Sequence, residues 1–146
     1  MQIKIKYKNS ATAKLKEIEQ GDWIDLAIDE DIQATAQSKV SVDLGIAMQL
    51  PKGYEAHIVP RSSTYNKYGL ILGNSTGIID NSYNGPEDYW GAKFFATESV
   101  EIPKGTRLLQ FRLVKTQKSE LKENIHFVEN NLEENTNRGG FGSTGN

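Results

Sequence analysis

The sequence predicts an all-β sandwich or barrel, and three observations carry that expectation. Apolar and polar residues alternate with a period of two through most of the chain. Proline and glycine punctuate the alternating runs. No stretch keeps a helical apolar stripe over three turns, which leaves short strands as the main building material.

Taken in order, residues 2–7 (QIKIKY) form the first alternating run. Residues 11–20 (ATAKLKEIEQ) and the short STYNKYG at 63–69 are the best helix candidates, with Gly69 placed to end the second. In WIDLAID, Asp25 sits between Ile24 and Leu26 inside a strand, where an acid needs solvent or a partner such as an arginine. Residues 40–50, 54–59, 93–97 and 106–115 read as further strands. Two near-repeats, QLPKGYEAHIV and EIPKGTRLLQF, place Pro-Lys-Gly between alternating runs at 51–53 and 103–105. Proline second and glycine fourth suit a type I turn joining antiparallel strands. The expected organisation is one β domain over 1–128, a polar linker over 129–136 and a glycine-rich arm over 137–146.

At 146 residues the chain is long enough for one domain with a proper core. Its net charge of -2 argues against nucleic-acid or membrane partners bound by bulk charge. With no cysteine, disulfides, thiolate catalysis and cysteine-held metals are excluded. No apolar run approaches the ~20 residues that span a bilayer. The start lacks the apolar core of a signal peptide, so a cytoplasmic location is expected.

Chemistry gathers in four places. The ending NRGGFGSTGN holds a literal GxGxxG at Gly140, Gly142 and Gly145, but no helix or acidic residue can follow it, so a dinucleotide fold is rejected. The physical use of those glycines survives: backbone amides and the Ser143 and Thr144 hydroxyls can approach phosphate oxygens. Arg138 can meet a terminal phosphate, and Phe141 offers a face for a base. In GNSTGIIDNSYNG, residues 73–85, Asn74 can read a base edge, Asp80 can orient water and Tyr83 can stack on a sugar. The plainer reading of Asp80 is an Asx turn in a hairpin. Arg61, Ser62 and Ser63 suit a phosphate clamp, although an arginine at a strand end is more often a solvated charge. Gln110 faces away from Leu109 and Phe111, which by itself marks only a surface position. Each signal is weak alone, and their joint occurrence is not.

In that order and spacing, WIDL, PRSS, GIIDNSYNG, RLLQF and RGGFGSTG resemble the five motifs of the trimeric dUTPase family (dUTP diphosphatases). The compact RGGFGSTG ending is similar to that of members from Bacillus and its phages. The resemblance implies jelly-roll-like subunits in a homotrimer, with active sites at subunit interfaces closed by a neighbour's arm. It implies Mg²⁺-dependent hydrolysis of dUTP to dUMP and pyrophosphate, which clears dUTP from the nucleotide pool and supplies dUMP for dTMP synthesis. Asp80 then activates the attacking water, and Tyr83 excludes a 2′-hydroxyl. Asn74 and the backbone around Gly77 and Ile79 hold uracil. Arg61, Ser62, Ser63 and Gln110 contact phosphates, while Asp25 supports Arg61 and the metal's water shell. Arg138, Gly140, Phe141, Gly142, Ser143 and Thr144 form the closing arm.

Four features depart from the wider family: Ser63 in place of glycine, Trp23 before the first motif, a shortened fifth motif, and the longer GPEDYWG at 85–91. A dCTP deaminase shares the fold and an RSS sequence, but the positions where its glutamate would fall hold Trp90 and Ala96. Phage members of the family also bind repressor proteins, which makes a regulatory protein partner a further expectation, with GPEDYWG its natural surface.

Overall fold

A computed structural model of the chain describes residues 1–17, 19–129, 132 and 138–142. Eleven strands and two short helices follow one another among them. They are β1 (Lys4–Tyr7), β2 (Ile24–Ala27), β3 (Ile32–Ala34), β4 (Ser38–Asp43), β5 (Ile46–Gln49), β6 (Tyr54–Pro60), α1 (Thr64–Tyr68), β7 (Leu70–Leu72), β8 (Gly77–Ile79), β9 (Gly91–Ala96), β10 (Val100–Ile102), β11 (Arg107–Lys115) and α2 (Gln117–Leu121).

A four-stranded sheet runs β2-β11-β6-β8, and a three-stranded sheet runs β4-β9-β7. The pairs β1-β5 and β3-β10 complete the framework, with every pairing antiparallel. Leu26, Ile58, Leu109 and Phe111 from the first sheet share one apolar cluster with Val42, Leu72 and Phe94 from the second. Trp90 is buried in that cluster with its ring edge-on to Phe111, 5.2 Å between centroids. The all-β sandwich is as expected, and none of these sheets closes into a barrel among the described residues. No helix among the described residues is long and apolar enough to cross a membrane.

Several elements differ from the sequence reading, for local reasons. Residues 40–50 are two strands, broken at Gly45, whose φ of +68° sends β4 to pair with β9 and β5 with β1. A Cβ at Gly45 would lie 2.5 Å from the Asp29 carboxyl carbon, so the bend needs glycine for space as well. Residues 11–17 and 19–20 form no helix. Instead Asn9 Oδ1 accepts from the Ala11 amide (2.9 Å), and the Tyr7 hydroxyl accepts from the Leu15 amide (3.0 Å), tying the segment to β1. The second helix candidate is present as α1, closed by Gly69 at φ +63° with its N–H on Tyr65 O.

Both Pro-Lys-Gly turns exist, shifted by one residue from the expected frame. Tyr54 N donates to Pro51 O (3.1 Å) and Thr106 N to Pro103 O (3.2 Å), so proline is first and glycine third. Gly53 (φ +83°) and Gly105 (φ +90°) supply the left-handed residue of a type II turn. Neither closes a hairpin: each carries the chain from one sheet to another, β5 to β6 and β10 to β11.

Candidate functional site

The described residues present two clefts that contain part of the sequence-predicted set; Asp80, Ser62 and Ser63 line neither. The larger, about 1170 Å³, is lined by Asn74, Gly77, Ile79 and Tyr83 together with Tyr89 and Phe94. The smaller, about 670 Å³, is lined by Asp25, Arg61 and Gln110 with Trp23, Ile24 and Arg107.

Asn74 sits on the connection from β7 to β8. Ser75 N donates to Leu72 O, and Ser75 itself holds φ +61°, a conformation that a serine adopts only under local constraint. The expected hairpin is not formed here, because β7 pairs with β9 while β8 pairs with β6. The connection crosses between sheets, which opens the cleft beside it. Gly77 lies opposite Ile58, and a Cβ there would meet Ile58 Cβ at 3.3 Å.

Beyond Ile79 the chain turns sharply. Asp80 Oδ1 accepts from Ser82 Oγ (2.6 Å) and Ser82 N (2.8 Å), and Asp80 O accepts from Tyr83 N (2.9 Å). The Asx turn is therefore real, and it coexists with an exposed carboxylate. The Ser82 hydroxyl and then the Ser82 amide hold the Asp80 carboxyl below its ordinary 3.8; burial opposes them, and the charge of Lys118 adds the weakest contribution. Asn81 pins this loop to the first type II turn, donating to Pro51 O (2.8 Å) and Tyr54 O (2.7 Å). The Tyr83 hydroxyl donates to Tyr89 O at 2.9 Å.

In the second cleft, Asp25 lies directly across from Gln110 in the β2–β11 ladder. The arginine partner that a strand aspartate needs is Arg61, with Nε 3.3 Å from Asp25 Oδ1. Arg61 Nη1 donates to Arg107 O, and Gln110 Nε2 to Pro60 O, both at 3.2 Å. A register shift between Arg107 and Leu109 turns Leu108 O toward α1, where it accepts from Arg61 N (3.1 Å) and the buried Thr64 hydroxyl (2.6 Å). Ser62 and Ser63 are exposed at the start of α1, and Ser63 makes no side-chain cap bond.

Arg107 was missed by sequence reasoning. Period-two parity puts residues 107 and 110 on opposite faces, and the bulge between them returns both to one cleft. Of the arm, Arg138, Gly140, Phe141 and Gly142 are exposed and line neither cleft. Ser143 and Thr144 lie outside the described residues, as does most of the expected linker. No group of three or more His, Asp or Glu residues that could hold a metal occurs among the described residues.

The larger cleft reaches β6 at Ile58, three residues before Arg61, while the Asp80 loop begins further back along that strand. Ile79 pairs with Ala56 on β6, and Arg61 lies five residues further along. At ~3.3 Å per residue that is about 17 Å.

The dUTPase family model matches residues 12–145. The chain belongs to the dUTPase family. It is 46% identical over 145 residues to the SPbeta prophage-derived deoxyuridine 5′-triphosphate nucleotidohydrolase of Bacillus subtilis (strain 168), covering 99% of both chains. It is 38% identical over 120 residues to the deoxyuridine 5′-triphosphate nucleotidohydrolase of Hydrogenobaculum sp. (strain Y04AAS1), covering 81% of this chain and 78% of the other. The fold is similar to that of the Staphylococcus bacteriophage 80alpha dUTPase with dUPNHPP, with a TM-score of 0.78 at 19% identity, over 99% of this chain and 98% of that one. The dUTPase of Streptococcus mutans matches with a TM-score of 0.68 at 25% identity, over 76% and 94% of the two chains. As a member of the dUTPase family, the chain is a hydrolase. The positions that a deaminase glutamate would need, Trp90 and Ala96, are instead buried apolar residues of its core.

Proposed function

We propose that this chain hydrolyses dUTP to dUMP and pyrophosphate, using sites that two or more copies build together. The observation that carries the reading is the separation of the Asp80 loop from Arg61 along β6. One cleft offers Asn74 and Tyr83, with the Asp80 carboxylate on the loop that joins Ile79 to Tyr83, and the other offers Arg61, Asp25 and Gln110. Each is half of what a nucleoside triphosphate needs, and about 17 Å of strand separates the Ile79 pairing, where the Asp80 loop begins, from Arg61. A second copy, bringing its arginine cleft to the base cleft of the first, completes a site. Tyr65, Ile71 and Ile78 are exposed apolar side chains that such an interface would cover. A cyclic homotrimer repeats that contact without leaving a free end.

Within the completed site, Asn74 reads the uracil edge together with backbone groups of Gly77 and Ile79. A pocket built this way rejects the thymine methyl by contact and cytosine by mismatched hydrogen bonds. The Tyr83 ring packs on the deoxyribose and leaves no room for a 2′-hydroxyl. Asp80 accepts a proton from the water that attacks the α-phosphorus. Both Ser82 bonds land on Oδ1, and Oδ2 takes neither. An aspartate of ordinary pKa is already ionised at neutral pH, and the Ser82 bonds favour that charged form further.

Arg61, held at its Nε by Asp25, presents its guanidinium to the phosphates beside Gln110, with Ser62 and Ser63 adding hydroxyls. Arg138 meets the terminal phosphate and Phe141 covers the base when the arm closes, with Gly140, Gly142, Ser143 and Thr144 lining it. The donor set fits a magnesium ion carried by triphosphate oxygens and water, with Asp25 steadying its water shell. When bound, the ion neutralises phosphate charge and helps the pyrophosphate leave.

The test is pyrophosphate release from dUTP, UTP, dCTP and dTTP side by side. The expected outcome is a strong preference for dUTP, lost in Asp80→Asn while dUTP still binds. Comparable use of all four nucleotides, or near-normal turnover by Asp80→Asn, would sink the reading.

A further inference from the structure

The segment GPEDYWG is unexplained by the proposed chemistry, yet its contacts converge on one atom of the site. Its Trp90 is buried, with Trp90 N donating to Ile46 O (2.7 Å) and Trp90 O accepting from Leu44 N (2.9 Å). The residue before it, Tyr89, offers the carbonyl that accepts the Tyr83 hydroxyl. Gly85 N donates to Asp88 Oδ2 (2.8 Å) and Asp88 N to Gly85 O (3.1 Å), so the turn between the two tyrosines is closed on itself. Strand β1 then grips it from outside. Lys6 Nζ donates to Pro86 O and to Glu87 Oε1, each at 2.8 Å. The Tyr89 ring has two ammonium groups near its face, from Lys6 and Lys8, each 5.4 Å from the centroid. Lys8 is itself paired with Asp43, whose Oδ1 accepts from Gly45 N at 2.7 Å.

We propose that residues 85–89, clamped by Lys6 and Lys8 of the first strand segment, act as a brace that fixes the tilt of the Tyr83 ring and so sharpens discrimination against a ribose 2′-hydroxyl. The proposal rests on the reading of Tyr83 as the sugar-packing residue. Its physical basis is that Tyr83 is substantially exposed and its side chain turns about two bonds. A ring held only by its own loop can tip away from a bulkier sugar. The bond from its hydroxyl to Tyr89 O removes that freedom, because Tyr89 is attached to a buried tryptophan on one side and a closed turn on the other. Tyr83 contacts the sugar, and Tyr89, Glu87 and Lys6 are positioning residues that act through it. The segment thereby takes a role inside the fold instead of standing free as a partner surface.

The experiment compares kcat/KM for dUTP and UTP in the full-length protein and four variants. Tyr83→Phe keeps the ring and removes only the tether. Its dUTP-to-UTP preference is expected to fall about two- to tenfold, the worth of one net hydrogen bond. Lys6→Met is expected to lower the preference about twofold through a higher rate on UTP, with dUTP turnover and thermal stability near wild type. Lys6→Arg should restore the ratio. An unchanged ratio in Tyr83→Phe, or a Lys6→Met variant slowed alike on both nucleotides, overturns the brace. Tyr83→Ala separates the two levels: a ratio unchanged there overturns the sugar-packing reading itself.

Discussion

Asp80 is both a turn former and the proposed base, two readings that compete in a sequence and are compatible in the structure. An aspartate followed by Asn81 and Ser82 reads as a turn former, and the turn is formed, with both Ser82 donors on one carboxylate oxygen. The same bonds stabilise the charged form and hold the pKa below 3.8. The sign follows directly. A base must be ionised, so activity is present above its pKa and is lost as pH falls through it. Ser82→Ala removes the leading cause, lets the pKa rise toward the ordinary value and moves the acid limb of kcat/KM to higher pH, with little change at pH 7. Profiles that coincide for the two proteins would show that another group sets the limb. Most candidate side chains were legible because their chemistry is local to a motif, as in PRSS or GIIDNSYNG. Arg107 was not legible, because its side is decided by a bulge that period-two counting cannot detect.

Among elements, the short helix α1 shows how one buried polar contact positions a functional turn. Thr64 is wholly buried, and its hydroxyl donates to Leu108 O, the same carbonyl that accepts from Arg61 N. Thr64→Val removes one donor without orphaning that carbonyl, so the loss is expected at about 1 kcal/mol, the ordinary net value of a hydrogen bond. In a chain of this size that is a fall in Tm of roughly 3–4 °C. A drop beyond ~10 °C would mean that packing around the methyls, rather than the hydroxyl, fixes the turn. The α1 helix was readable from STYNKYG because its glycine stop is a local signal. The turns at 51–53 and 103–105 were readable as turns but not as corners between sheets, since the partner of each following strand lies far away in sequence. No helix forms at 11–17 or 19–20 for a more local reason: the Tyr7 hydroxyl captures the Leu15 amide that a helix would have used.

At the scale of the whole molecule, the antiparallel pairing of β6 with β8 sets the distance between the Asp80 loop and Arg61. The sequence shows both motifs and is silent on that distance, because motif order along a chain carries no information about which strands lie side by side. A site divided in this way has a genetic signature. Asp80→Asn and Arg61→Ala subunits are each expected to assemble into inactive oligomers, one lacking its base and the other its phosphate clamp. Unfolded together and refolded as an equal mixture, they should regain activity. With random assembly on a cyclic trimer, about one quarter of the sites combine an intact Asp80 from one chain with an intact Arg61 from the next. A mixture as dead as its parents would place the whole site within one chain. If activity returns, two damaged alleles of this gene complement each other inside one cell, and the length of a seven-residue strand is visible as a phenotype.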